Sequence, residues 1–267
     1  MIVVKVGGGL DVDYGALCDD IAHLHHAGQP VVLVHGGSEE TNRVATALGT
    51  PPRFVTTASG HVSRYTDQAA MDVFMMMYAG KINKRIVELL QQRGINAFGC
   101  SGLDGRILTA QRKAQLRIVE NGKQLILRDD RTGTIDAVNQ QLLHTLMQAG
   151  LTPVIAPIAC SHAGEALNVD GDRAAAQIAQ ALQADTLLLL SSVPGLLRNF
   201  PDTTTLIPQI ARQEVERYME VAQGRMKKKV MGAAEALAGG VKRVIMADAR
   251  IAQPIQMALA GHGTVIA

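Results

Sequence analysis

Val3-Val4-Lys5-Val6-Gly7-Gly8-Gly9 decides how this chain is read, and Val31-Val32-Leu33-Val34-His35-Gly36-Gly37-Ser38 repeats its design. Each short, largely β-branched run reads as a buried strand, and its glycines end it where a helix begins. Glycine at that point lets backbone N–H groups close on an anion without a Cβ in the way. Lys5 adds an ammonium just before the first turn. Two anion-binding turns and a lysine at neighbouring strand ends suit a phosphate and a second negative group, the layout of a small-molecule kinase.

Neither turn is a P-loop. Gly80-Lys81 and Gly122-Lys123 are followed by Ile82 and Gln124 rather than Ser or Thr. Nor is there a dinucleotide fingerprint, because Val12 stands where the last glycine after Gly7-Gly8-Gly9 belongs.

At 267 residues, 47% hydrophobic and 19% charged, the chain is globular in composition and long enough for one large domain or two lobes. Its longest apolar runs, such as 186–190, are far too short to cross a bilayer, and Met1 leads straight into the first strand. A cytoplasmic protein without a membrane span is expected. Cys18, Cys100 and Cys160 are odd in number and lack C-x-x-C spacing, so buried thiols are expected rather than a disulfide framework or zinc site. His23, His25 and His26 have no suitably spaced carboxylate to complete a metal site. A net charge of +2 gives no argument for nucleic acid. Its distribution says more: residues 81–131 hold eleven Lys and Arg against five Asp and Glu. That segment is either a solvated surface or a landing site for an acidic partner.

Alternating strand and helix signals predict an α/β fold with a mostly parallel sheet between helices. Helices are expected at 14–27 and 39–48, and a loop or hairpin at 53–65 that carries Ser59-Gly60-His61-Val62-Ser63-Arg64. Thr66 reads as the N-cap of a long helical stretch interrupted near Gly80 and closed at Gly94. From Gly105 to Gly133, short alternating runs predict an antiparallel excursion, with a hairpin at Glu120-Asn121-Gly122-Lys123. Residues 136–148 read as a helix, 152–156 as a central strand, 173–182 as a helix and 185–190 as a buried strand. A helix follows Gly224, with strands at 243–247 and 264–267. The natural division lies near Gly150, between an acceptor half, 1–150, and a nucleotide half, 151–267.

Phosphoryl transfer asks a protein chiefly for alignment and positive charge around a transition state spread over oxygens. Lys5 supplies one charge from the first half. Lys229 supplies another from the second, unless it is simply part of a surface run with Lys227 and Lys228. Asp172, before an apolar helix, is either a plain cap or a carboxylate that holds two lysines by charge-assisted bonds. Asn168 and Arg64 offer planar hydrogen bonds suited to a carboxylate or amide.

In this order and spacing, these residues resemble the amino acid kinase family, whose members include acetylglutamate kinase, and the resemblance runs over essentially the whole chain. It implies a three-layer α/β/α sandwich. It also implies that Lys5, in Lys-Val-Gly-Gly, meets the transferring phosphoryl group, with Gly8 lending a backbone N–H. By the same resemblance Gly36 and Gly37 hold the acceptor, Arg64 grips its α-carboxylate, and Asn168 is a further acceptor contact. Asp172 organises both lysines, and Lys229, in Met-Lys-Lys-Lys-Val, is the second stabilising lysine, with Lys227 the competing assignment.

Within the family, Gly60-His61-Val62-Ser63-Arg64-Tyr65-Thr66-Asp67, Leu167-Asn168-Val169-Asp170-Gly171-Asp172-Arg173 and Gly224-Arg225-Met226-Lys227 look like the kinases that act on an amino acid carried by LysW, a small acidic amino-group carrier protein. Ser38 stands where acetylglutamate kinases usually have a third glycine after His-Gly-Gly. The resemblance implies ATP and Mg²⁺ as cofactors, phosphorylation of the distal carboxylate of LysW-bound α-aminoadipate or glutamate, and a homodimer through the N-terminal half. Acetylglutamate kinase is the alternative reading. A carboxylate acceptor is already ionised near pH 7 and needs no general base, so His35 is expected to shape its turn.

Overall fold

The computed structural model describes residues 1–57, 62–113, 115–120 and 123–267, without the side chains of Glu120 and Arg225. Ser59, Gly60 and His61 of the predicted acceptor loop, and Asn121 and Gly122 of the predicted hairpin turn, lie outside the described residues.

Among the described residues, eight strands form the main sheet, in the order Gln209–Ile210, Thr264–Ile266, Arg243–Asp248, Thr186–Ser191, Ile2–Val6, Val31–His35, Thr152–Ala156 and Ala97–Ser101. Every neighbouring pair is parallel except Arg243–Asp248 with Thr264–Ile266. Ile2–Val6 and Val31–His35 are buried along their whole length, as β-branched strands covered on both faces must be. Alternation divides their side chains between two cores. Val3 faces the helices Gly171–Ala181 and Arg225–Ala238, while Ile2, Val4 and Val6 face Tyr14–His26 and Pro254–Leu259. Lys5 therefore falls on the same side as Val3, toward the helices of the second half. The middle of the sheet lies between Thr186–Ser191 and Ile2–Val6, whereas Thr152–Ala156 sits one strand in from an edge rather than at the centre.

Two four-stranded sheets flank this body. One joins Ala166–Asn168, Ile158–Ser161, Leu108–Arg112 and Gly133–Val138. The other joins Val62–Tyr65, Arg53–Thr57, Leu116–Glu120 and Lys123–Leu127 around a small core of Val55, Leu116 and Ile118. Among the described residues, no helix is long and apolar enough to cross a membrane.

Three local expectations need correction. Residues 133–138 form a strand paired with Leu108–Arg112, and the helix starts only at Gln140, where the Asn139 side chain accepts from the Leu142 N–H. Asp67, not Thr66, caps the next helix by accepting from the Ala70 N–H. Thr66 is buried and donates its own N–H to Asp130. Near Gly80 the chain does not break: Met76–Ile82 is a π-helical stretch between Gln68–Met75 and Asn83–Gln91. Burial of Met77, Tyr78 and Ile82, with Tyr78 stacked on Phe74, holds the helix through the glycine.

Candidate active site

Lys5, Asp172 and Lys229 meet at the edge of the core. The Lys5 Nζ lies 2.7 Å from Asp172 Oδ1, and the Lys229 Nζ lies 2.9 and 3.0 Å from the two carboxylate oxygens. All three side chains are buried, whereas Lys227 is exposed. Capping falls to Asp170 instead, which accepts from the N–H groups of Asp172 and Arg173 and leaves the Asp172 carboxylate for the lysines. Gly171 packs beside Lys5: a Cβ there would stand 3.4 Å from its Cε, at ordinary van der Waals contact.

One carboxylate between two buried ammoniums leaves a net positive cluster. For Asp172, burial opposes ionisation, but Lys229 and Lys5 hold the carboxyl well below the ordinary carboxylate range. Burial also works against the charge of Lys5, and Asp172 outweighs it, raising the pKa. At Lys229 burial dominates, repulsion from Lys5 adds to it, and the pKa falls to about 8 despite Asp172. Lys229 is thus the more weakly held of the two ammoniums, and an anion beside it would favour its charged form.

The glycine turns touch backbone to backbone. A Cβ on Gly8 would come within 2.0 Å of the Gly37 nitrogen and 2.5 Å of that of Ser38, and one on Gly36 within 2.7 Å of the Gly8 nitrogen. The Gly36 N–H is committed to the Val6 carbonyl at 2.8 Å. Gly36 serves this junction through close approach. The N–H groups of Gly8, Gly37 and Ser38 make no backbone bond among the described residues, and the helix Ser38–Ala47 has no side-chain cap. Three neighbouring N–H groups without backbone partners at an uncapped helix start are able to take an anion.

On the other side of that helix, Arg64 donates to Asn42 Oδ1 and lies over the Phe54 ring at 5.2 Å. Asn168 donates from Nδ2 to Thr66 Oγ1 at 3.0 Å, two residues beyond Arg64, and its backbone N–H donates to the Arg131 carbonyl at 2.8 Å. Arg64 is linked to the glycine turns through Asn42 on the helix Ser38–Ala47, and Asn168 lies four residues before Asp172.

Two residues of this framework escape sequence reasoning. Asp130 is buried and accepts from the N–H groups of Thr66 and Thr132 and from the Thr132 hydroxyl, fastening the Arg64 strand to the neighbouring sheet. Asn83, fully buried, donates from Nδ2 to the carbonyls of Cys100 and Val154, and the same nitrogen lies 3.1 Å from His35 Nε2. His35 Nδ1 lies 2.9 Å from the Gly36 carbonyl, so that nitrogen carries the proton. Burial lowers the His35 pKa to about 4, and the ring is a neutral brace for its turn. An isolated Asp or Asn in a loop or helix gives no periodic signal, so only the folded partners disclose these roles.

The basic segment resolves into separate tasks. Lys81 pairs with Glu40, Arg85 with Glu88, Arg93 with Asp19, and Arg112 and Arg131 with Glu165. Lys84 and Arg106 donate to the carbonyls of Gly99 and Ser161.

Residues 1–248 match the family model described as the amino acid kinase family. The chain belongs to that family. Among its relatives, the LysW-aminoadipate kinase of Deinococcus radiodurans is 58% identical over 266 residues, covering all of this chain and 91% of that protein. The LysW-aminoadipate kinase of Thermus thermophilus is 53% identical over 268 residues, covering both chains completely. The amino acid kinase fold recurs in the N-acetylglutamate synthase of Neisseria gonorrhoeae, solved with coenzyme A and N-acetyl-glutamate, at a TM-score of 0.80 and 28% identity. That match covers all of this chain and 59% of the synthase.

Proposed function

We propose that this amino acid kinase uses ATP to phosphorylate the distal carboxylate of α-aminoadipate carried by LysW, giving ADP and an acyl phosphate. LysW-bound glutamate is the second cargo of the same reading. The observation that carries the chemistry is the buried Lys5–Asp172–Lys229 cluster beside the joined glycine turns. The cargo rests on the two LysW-aminoadipate kinases that match this chain over its whole length.

The acceptor carboxylate attacks the γ-phosphorus, the bond to the β-phosphate oxygen breaks, and no proton moves. The barrier is electrostatic, an anion approaching a polyanion. Lys5 and Lys229 offset developing charge on the transferring and leaving oxygens, and Asp172 fixes both in place. The N–H groups of Gly8, Gly37 and Ser38 seat oxygens between donor and acceptor. Arg64 and Asn168 hold the acceptor's α-carboxylate end. Among the described residues no three His, Cys, Asp or Glu side chains cluster as a metal site, and both Asp172 oxygens are taken by ammoniums. Mg²⁺ would enter with the nucleotide and would supply charge neutralisation at its phosphates. We place the enzyme in the cytoplasm, and as a homodimer through its N-terminal half, where the exposed Phe98 on the edge strand Ala97–Ser101 offers an apolar contact.

The test is ADP release with ATP and LysW-aminoadipate, LysW-glutamate or free N-acetylglutamate, with hydroxylamine trapping of the acyl phosphate. Turnover confined to free N-acetylglutamate would replace this reading with acetylglutamate kinase.

A further inference from the structure

The helix Ser38–Ala47 runs from the Gly37 and Ser38 N–H groups to the Arg64 guanidinium. Its first turn is fastened to the glycine turns at three points. The Glu39 N–H donates to the Gly8 carbonyl at 3.2 Å, and the Glu39 carboxylate accepts from the Leu10 N–H at 2.9 Å. The buried Thr41 hydroxyl donates to the Gly37 carbonyl at 2.7 Å. Just beyond this anchored turn, Asn42 Oδ1 accepts from Arg64, while the Asn42 carbonyl accepts from the Thr46 hydroxyl at 2.9 Å.

Arg64 is confined from two directions at that point. Its strand register sets it opposite Phe54, and its guanidinium lies over the Phe54 ring at 5.2 Å. The Asn42 oxygen takes the same group from the helix side. Asn42 is partly buried, and its neighbour Arg43 turns away to Glu40 at 3.6 Å. A neutral amide oxygen orients a guanidinium without cancelling its charge, which a carboxylate in its place would do. Four residues of α-helix rise about 6 Å. The interval between the glycine-turn N–H groups and Arg64 is therefore set by a rigid, anchored element rather than by a loop.

We propose that Asn42 is a positioning residue that makes the enzyme select its acceptor by chain length. The inference rests on the function proposed above. There the α-carboxylate sits on Arg64, and the distal carboxylate meets the phosphoryl group at the N–H groups of Gly8, Gly37 and Ser38. The carbon chain between those two carboxylates has to match the interval that the helix fixes. α-Aminoadipate and glutamate differ in that chain by one methylene. Misplacing a reacting group by about 1 Å costs about 10²-fold in rate, and one methylene in a fitted pocket is worth about 10–200-fold. Asn42 acts through Arg64 rather than on the reacting atoms, and ATP use does not depend on it.

The experiment compares the wild-type enzyme with Asn42→Ala, which releases Arg64, and Asn42→Asp, which keeps an oxygen in the same place. Thr46→Ala, exposed on the same helix, is the control. ADP release gives kcat/KM for LysW-aminoadipate and LysW-glutamate and KM for ATP, and far-UV circular dichroism and Tm check each fold. The expected result is a wild-type preference for LysW-aminoadipate of about tenfold or more, falling to within about threefold in Asn42→Ala. KM for ATP stays unchanged. Asn42→Asp should keep the preference while KM rises for both cargoes, because its carboxylate competes for the guanidinium. Thr46→Ala should behave as wild type. A preference that survives in Asn42→Ala overturns the role of Asn42, as does a wild type with no preference. So does an equal loss of preference in Asn42→Asp or Thr46→Ala. Wild-type turnover of free N-acetylglutamate with neither LysW cargo used overturns the proposed function instead. The same ratio is then read on free N-acetyl-aminoadipate and N-acetylglutamate, where a preference lost in Asn42→Ala still supports the role of Asn42 and one retained overturns it.

Discussion

Asp172 accepts two hydrogen bonds from Lys229, at 2.9 and 3.0 Å, across 57 residues of chain. The same carboxylate takes Lys5 from the opposite end of the polypeptide. The helix Arg225–Ala238 and the first strand, Ile2–Val6, are thus tied at one buried point.

Asp172→Asn keeps the shape and removes the carboxylate that lies between these ammoniums. Breaking a buried pair from one side costs about 3–5 kcal/mol, and urea unfolding at pH 7 should show a loss of that order together with loss of turnover. The depressed carboxyl also fixes the acid limb. Its stabilising contribution is present above the unfolded carboxyl's pKa, near 4, and is lost as pH falls through its lower folded value. The stability gap between wild type and Asp172→Asn should therefore narrow below about pH 4. A constant gap down to pH 2 would contradict the assignment.

Burial lowers the Lys229 pKa to about 8, and in the proposed mechanism its charged form is the one that stabilises the transition state. For the free enzyme, kcat/KM should fall above about pH 8, approaching tenfold per pH unit. Lys229→Arg stays charged throughout this range and should erase the limb, even at reduced rate. An identical basic limb in the arginine variant would assign the titration to another group.

Gly8→Ala drives a Cβ to 2.0 Å from the Gly37 nitrogen, a clash that backbone alone must relieve. Separating the two turns scatters the N–H groups of the anion seat. We expect about 10²–10³-fold lower kcat with a stability cost of about 1–3 kcal/mol. Near-normal turnover in a folded Gly8→Ala enzyme would remove the seat from the mechanism.

Arg64→Ala removes a charge-assisted grip worth about 1.5–3 kcal/mol. KM for the acceptor should rise about 10–100-fold, with KM for ATP unchanged in the same steady-state assay. A parallel rise in both constants would mean a collapsed acceptor wall rather than a lost contact.

Local patterns made much of this legible. Val3–Val6 and Val31–Val34 announce buried parallel strands because covered strands need unbroken apolar residues, and Gly8 and Gly37 mark where backbones must touch. The helix assigned from 136 shows where pattern fails. The stretch 133–138 becomes a strand because Leu108–Arg112 offers it a ladder, and Asn139 supplies the cap that delays the helix.

Residue order alone determined the strand–glycine–helix units, the cations at their ends and the side of the strand on which Lys5 falls, because these depend on backbone conformation and alternation over a few residues. Only tertiary structure decided that Lys229 rather than Lys227 reaches Asp172, that Asp170 does the capping, and that Asp130 and Asn83 brace the site. A buried charge or amide must find its partner wherever the packed chain brings one. That requirement acts across tens of residues and leaves no trace in local spacing.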